Sequence, residues 1–335
     1  MITDVIQKLV ERTDLTEPEA RSVMEEIMAG HATDAQVAGF LTALRMKGET
    51  PAELIGFARV MRERAEPLWD GDIPALLDTA GTGGDGSGTF NISTAAAFVA
   101  AGAGIKVAKH GNRSASSRCG SADVMEALGV DIQMPIERLR RAIKDVGFGF
   151  LFAPRFHSSM KHVVPARTQL KIRTVFNMLG PLANPAGARF QIAGVSSIGI
   201  IELVADALQG LGVEYAFVVH SNDGMDEISL SAPTYVVELR RGESRRFSIQ
   251  PEDLGITPAP ISAILGGDAK TNAAIIEGVL KGERGPRRDV VLLNASAAIV
   301  AGGAATTLRE GIRAAEESID SGAALKTLQA LRDFA

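Results

Sequence analysis

Residues 78–94 read DTAGTGGDGSGTFNIST. Gly81, Gly83, Gly84, Gly86 and Gly88 crowd the stretch, and Asp85 sits among them. The apolar residues before it read as a strand and the alanine-rich run after it as a helix. A glycine-rich turn from strand into helix lets backbone N–H groups approach an anion, usually a phosphate. The spacing matches G-x-G-x-x-G, yet a dinucleotide fold places the third glycine in the opening helix and an acid about 20 residues on. Here the helix reads as starting at Ser93, and the next strand, 105–108, ends in Lys109-His110. No Gly-Lys-Ser/Thr follows, which excludes the triphosphate P-loop. What remains is an anion site with Thr89, Asn91, Ser93 and Thr94 as donors at a helix N-terminus. Asp85 then orients the loop through backbone N–H groups, or meets metal-ordered water or a sugar hydroxyl.

Working outward, short strand-like runs alternate with alanine-rich helices: 75–81, 105–111, 148–154, 190–195 and 215–220. That rhythm predicts an α/β domain with a central sheet. TYVVELRRGESRRFSI, 234–249, predicts a strand pair turning at Arg241-Gly242, and the C-terminal third reads as helical, over 290–304 and 307–334. The first 70 residues differ. Thr16…Glu19, Thr33…Gln36 and Thr50…Glu53 each fit a capping box, with an apolar stripe at helical spacing behind it. They predict a small all-helical unit, 1–70, with 160–190 packing back on it, and an α/β domain over 71–335. Met24, Met28, Met46 and Met61 read as core filler.

Composition narrows the function. The chain has 335 residues, 46% hydrophobic and 22% charged, with a net charge of -5. An acidic balance speaks against general nucleic-acid binding. One cysteine, Cys119, excludes a disulfide framework and predicts a small buried role. The N-terminal residues carry acids and no long apolar core, unlike a signal peptide, and no apolar run approaches the roughly 20 residues of a membrane span. The expectation is a cytoplasmic protein.

Two further stretches belong with the glycine loop. KHGNRSASSRCGSADV, 109–124, follows the next strand, so its loop should open on the same sheet edge. It brings Lys109, Arg113, Ser114, Ser116 and Ser117, with Ser121 read as capping a helix. NDGMDEIS, 222–229, follows a later strand. Asp226 and Glu227 would point to opposite faces of a regular strand, so they converge only from irregular backbone, which Gly224 permits. Two carboxylates with phosphate oxygens make a hard-oxygen set suited to Mg²⁺.

GTGGDGSGTFNIST, KHGNRSASSRCGSADVMEALG, RTVFNMLGPLANP and DGMDEIS together resemble the signature stretches of the anthranilate phosphoribosyltransferase family, across almost the whole chain. The resemblance implies a nucleoside-phosphorylase-like phosphoribosyltransferase fold and a homodimer joined through the helical unit. It implies transfer of a phosphoribosyl group from phosphoribosyl pyrophosphate (PRPP) to anthranilate, with two Mg²⁺ per monomer. Gly81, Gly84, Asp85, Thr89, Asn91, Ile92, Ser93, Thr94, Lys109, Ser117 and Ser121 would hold PRPP. Gly81, Asn112 and Arg167 would take anthranilate, with Arg173 the second arginine to consider and His110 along the path. Ser93, Asp226 and Glu227 would serve the metal. One departure shows: the family often has His-Pro-Ala-Met-Lys where this chain has His157-Ser158-Ser159-Met160-Lys161. Two rivals stand beside this reading. A pyrimidine nucleoside phosphorylase-like enzyme would need no paired metal acids. A non-catalytic nucleic-acid-binding relative should be basic. His110 is the signature-loop histidine placed to take the amine proton, and a passive wall is its other reading.

Overall fold

The computed structural model describes residues 1–114 and 118–334. It opens with four helices: α1 (Ile2–Val10), α2 (Glu17–Met28), α3 (Asp34–Lys47) and α4 (Pro51–Glu63). Thr16, Thr33 and Thr50 cap the last three, each with the reciprocal bond from Glu19, Gln36 or Glu53. Their stripes meet in a common core, in which Phe40 and Phe57 pack edge to face at 5.8 Å. Met24, Met28 and Met61 are buried in it, but Met46 is 69% exposed. The methionine reading fails there because Met46 lies off the buried stripe of α3.

Then come β1 (Leu77–Asp78), α5 (Ile92–Gly102), β2 (Val107–Gly111), α6 (Ser121–Ala127), α7 (Ile136–Asp145) and β3 (Phe148–Phe152). Short helical pieces α8 (Ala153–Phe156), α9 (Val164–Leu170) and α10 (Leu179–Leu182) break the rhythm before β4 (Phe190–Gly194), α11 (Ile201–Gly210) and β5 (Tyr215–Ser221). A hairpin, β6 (Thr234–Arg240) and β7 (Glu243–Ile249), turns at Arg241 and Gly242, both at positive φ, as a two-residue turn of that hand requires. The chain ends in α12 (Ala269–Leu280), α13 (Pro286–Ala301), α14 (Leu308–Asp320) and α15 (Ala323–Asp333). The stretch 307–334 is therefore two helices, parted at Gly322, whose φ is 77°.

One seven-stranded sheet runs in the order β3-β2-β1-β4-β5-β6-β7. β1 to β5 are parallel and the hairpin is antiparallel. Side chains alternate between its faces. Ile192, Phe217 and Val219 join the core built with α5, α12 and α13, while Ala193, Ala216 and Val218 join the core of the N-terminal helices. α9, α10 and α11 complete that second core, α9 against α3 and both α10 and α11 against α4. The strand order reverses between β1 and β4. In doubly wound sheets the crevice at such a reversal, outside the carboxyl ends of the strands, is where ligands bind.

Candidate active site

The glycine loop leaves β1 at that reversal. Gly83, Gly84, Gly86 and Gly88 all take positive φ, between 64° and 75°. The loop is tied down from its neighbours: the Thr82 N–H donates to the Gly194 carbonyl at 2.8 Å, and the Ser196 N–H to Thr82 Oγ1 at 3.0 Å. Asp85 accepts from the Ser87 N–H at 3.2 Å and the Asp226 N–H at 3.4 Å. Among the readings left open for it, the structure shows the backbone tie.

Asp226 and Glu227 leave β5 through irregular backbone after Gly224, whose φ is 91°. Asp226 Oδ2 accepts the Gly83 N–H at 2.9 Å and Glu227 Oε1 accepts the Ser93 N–H at 3.1 Å. The approach needs missing side chains. A Cβ on Gly81 would lie 2.9 Å from Asp226 Oδ2, and one on Gly194 would overlap the Asp226 carbonyl. Thr79, Gly81, Ser93, Gly194, Asp226 and Glu227 thus line one small recess, together with Asn294.

Charge in this recess is out of balance. Withdrawal from water, then the Asp85 charge, pushes Asp226 up to about 7. Withdrawal from water, then Asp226, pushes Glu227 up to about 8. The cation that acts on Glu227 is Lys109, 2% exposed, and its ammonium bonds Thr79 O (2.7 Å), Thr79 Oγ1 (2.9 Å) and Ser93 Oγ (3.3 Å). Burial pulls that ammonium below its ordinary range. Two hard oxygen ligands short of positive charge fit Mg²⁺ completed by substrate oxygens. Among the described residues no three acidic, histidine or cysteine side chains make a closed metal cage.

Lys109 and His110 are successive on β2 and reach opposite faces. His110 Nδ1 lies 3.1 Å from the Gly180 carbonyl, which can only accept, so Nδ1 carries the proton and Nε2 a bare lone pair. Among the described residues neither His110 Nε2 nor His157 Nε2, both buried, has a partner, and the two rings lie 5.2 Å apart. Burial pulls His110 down to about 4; burial, then His110, pulls His157 down to about 3. Beneath them buried Asp78 accepts from the His110 N–H at 3.1 Å and Asn184 Nδ2 at 2.8 Å.

The remaining sequence-singled residues divide. Thr89 pairs by a bridge with Leu265. Asn91 precedes α5 and is held through its amide by the Cys119 carbonyl and Asn272. Ile92 is 1% exposed and its N–H donates to the Phe90 carbonyl, so it presents no donor; it opens α5, one residue before Ser93. The Thr94 hydroxyl is buried and has no partner among the described residues. Asn112 is exposed, and its carbonyl receives the Ser121 hydroxyl at 3.4 Å. Gly120, not Ser121, holds the cap position of α6, because its backbone is the last extended residue before the helix. The Arg113 guanidinium is taken internally, by Asp123 and Glu126 at 2.9 and 2.5 Å. Cys119 is buried, and burial pushes its thiol up to about 11, away from nucleophile chemistry. Ser116 and Ser117 lie outside the described residues.

The two arginines separate clearly. Arg167, on α9, lies over the Phe176 ring at 5.4 Å, and among the described residues no carboxylate or carbonyl takes the N–H groups of its guanidinium. Arg173 is committed to the glycine loop, at 3.0 Å from the Gly84 carbonyl. Sequence reasoning missed that link, and it missed Asp78, His157, Asn184, Gly194 and Asn272; no local pattern distinguishes these from core polar residues and turns.

A family model described as "Glycosyl transferase family, a/b domain" matches residues 73–325, and one described as "Glycosyl transferase family, helical bundle domain" matches 3–65. The anthranilate phosphoribosyltransferase of Chloroflexus aggregans is 55% identical over 330 residues, 98% of this chain and 96% of that one. The chain belongs to the anthranilate phosphoribosyltransferase family. The crystal structure of the Thermus thermophilus family member superposes with a TM-score of 0.93 at 47% identity, covering 99% of both chains. The Saccharomyces cerevisiae enzyme in complex with PRPP and Mg superposes with a TM-score of 0.91 at 30% identity, covering 99% of this chain and 97% of that one. Family membership matches the fold class expected from the sequence, a helical unit before an α/β domain.

Proposed function

We propose that this chain transfers the phosphoribosyl group of PRPP to anthranilate, releasing pyrophosphate, as a Mg²⁺-dependent step of tryptophan biosynthesis. The observation that carries the reading is the meeting, at the strand-order reversal, of a glycine loop rich in N–H donors with two carboxylates short of positive charge. The C1–O bond to pyrophosphate breaks as the amine nitrogen bonds C1. Negative charge grows on the leaving group, so fixed donors aimed there do most of the work. Gly81, Gly84, Asp85, Thr89, Asn91, Ile92, Ser93 and Thr94 shape the PRPP side, with Lys109 as the cation beneath and Ser117 and Ser121 from the next loop. Ser93 and Glu227 would hold one Mg²⁺, and Asp226 with Glu227 a second. The bound metal supplies the positive charge that the leaving pyrophosphate and the carboxylates share.

On the acceptor side, Gly81 and Asn112 frame anthranilate, and Arg167 offers a planar fork to its carboxylate. The absence of any internal taker for that fork among the described residues supports the role. The neutral amine is nucleophilic as it stands, so positioning outweighs base strength. His110, neutral with its proton on Nδ1, stands in this reading either as the group that takes the amine proton or as a wall of the acceptor path. We infer the two units as 1–70 and 71–335, and a cytoplasmic homodimer joined through the helical unit, whose Val10 and Met46 expose 64% and 69% of their surface.

The experiment is direct. Protein, anthranilate, PRPP and Mg²⁺ are mixed, and anthranilate fluorescence is followed. Fluorescence should fall, and chelation should stop the fall. No loss, together with phosphorolysis of uridine by inorganic phosphate, would overturn the reading in favour of a nucleoside phosphorylase.

A further inference from the structure

Arg173 makes three bonds at the mouth of the site. Its guanidinium donates to the Gly84 carbonyl at 3.0 Å, the Gly83 carbonyl at 3.3 Å and Ser196 Oγ at 2.8 Å. Ser196 follows β4, so one side chain joins the loops on both sides of the strand-order reversal. Gly84, at φ 73°, leaves the room: a Cβ there would collide with Arg173 Nη1.

The consequence lies on the other side of the same peptides. In a trans peptide the C=O and N–H point in opposite directions, and no cis peptide is present among the described residues. Holding the Gly83 and Gly84 carbonyls therefore aims the N–H groups of Gly84 and Asp85 away from Arg173. Among the described residues those two N–H groups have no acceptor. Glycine peptides turn over readily because no Cβ resists, so without the guanidinium both donors would scatter.

We propose that Arg173 is a positioning residue for the diphosphate of the substrate: it clamps two glycine carbonyls so that the Gly84 and Asp85 N–H groups stand ready as a pair. This deepens the functional reading above and rests on it. Arg173 also precedes Thr174, Val175 and Phe176, and the last two are buried in the core shared with the N-terminal helices. The clamp therefore ties the loop to the helical side of the molecule.

The test compares wild type, Arg173→Ala and Arg173→Lys by calorimetry with PRPP and Mg²⁺, by steady-state kinetics, and by hydrogen exchange over 81–88. Losing a charged donor predicts about 10-fold weaker PRPP binding in Arg173→Ala, with the KM for anthranilate and Tm unchanged and faster exchange in the loop. Lysine should restore only part, because one ammonium cannot reproduce the fork. Wild-type PRPP affinity in Arg173→Ala, or a rise in the anthranilate KM instead, would overturn the proposal. If wild type itself bound no PRPP, the functional reading would fall, and unchanged loop exchange in Arg173→Ala would sink the clamp separately.

Discussion

Two glutamates, one in each region of the molecule, begin from similar circumstances and end differently. Glu53, in the helical unit, is wholly buried. It receives Lys47 Nζ at 3.0 Å, the Leu15 N–H at 2.9 Å and, through the capping box, the Thr50 N–H at 2.9 Å. Glu227, at the sheet's carboxyl edge, meets the Ser93 N–H and otherwise faces Asp226. One lysine of each region shows the same contrast: Lys47 reaches its carboxylates, while among the described residues Lys109 bonds hydroxyl and carbonyl oxygens. A buried charge that its own fold neutralises is part of the scaffold. One that the fold leaves short is held for something that arrives from outside.

The largest effect should come from the edge. Asp226→Asn with Glu227→Gln keeps shape and removes charge, and turnover should drop by roughly 10³-fold, the scale of losing main electrostatic stabilisers. The same variant should melt higher than wild type without metal. Both acids have raised values when folded, so their ionisation costs stability as pH rises through the ordinary carboxylate range, and the amides remove that cost. Near-normal turnover with intact circular dichroism would break the contrast from this side.

Glu53→Gln should do the reverse. It removes the buried carboxylate from Lys47, whose side chain is 3% exposed and keeps the more exposed Asp14 at 2.7 Å, and stability should fall by about 2 kcal/mol. Turnover measured well below Tm should stay at the wild-type level. A catalytic defect without a lower Tm would mean that the helical unit is not merely scaffold.

Arg167→Ala sharpens the comparison on the acceptor side. The anthranilate KM should rise about 10-fold, for one charged partner lost, while PRPP affinity holds. Should Arg173→Ala raise it instead, the acceptor site lies elsewhere and the two arginines exchange roles.

The smallest effect is a pH dependence. His110 and His157 are buried neutral, with values lowered from 6.5 to about 4 and about 3. The unfolded chain binds protons that the folded chain refuses, so their contribution is intact above pH 6.5 and is lost as pH falls from there toward 4. Between pH 7 and pH 6 the loss should be about 1 kcal/mol for the pair. Thermal melts across that interval would show it, and a flat Tm would mean that water reaches both rings.

Much of this was legible because it is local. The capping boxes at Thr16, Thr33 and Thr50, the hairpin at Arg241-Gly242 and the glycine loop are each written within a few residues, and short-range hydrogen bonds and φ preferences enforce them. The Asp-Glu pair was legible as irregular backbone after Gly224. Arg113 misled because its partners Asp123 and Glu126 lie a helix turn or more further on, and only folding shows that they claim it. Met46 misled because spacing tells which residues share a face but not where the buried stripe ends.

The chain by itself determined the elements, the two units and the chemical kinds of group that meet in the loops, since these follow from propensity, patterning and side-chain chemistry. Only the tertiary structure decided which charges are left unneutralised. Asp226 and Glu227 become a metal-fit pair because the strand order reverses beside them and Lys109 is spent on Thr79 and Ser93. Arg173 becomes a clamp, 89 positions from Gly84 in sequence, because the sheet brings β1 and β4 together. Desolvation and charge balance are sums over neighbours distant in sequence, and those neighbours exist only once the chain has folded.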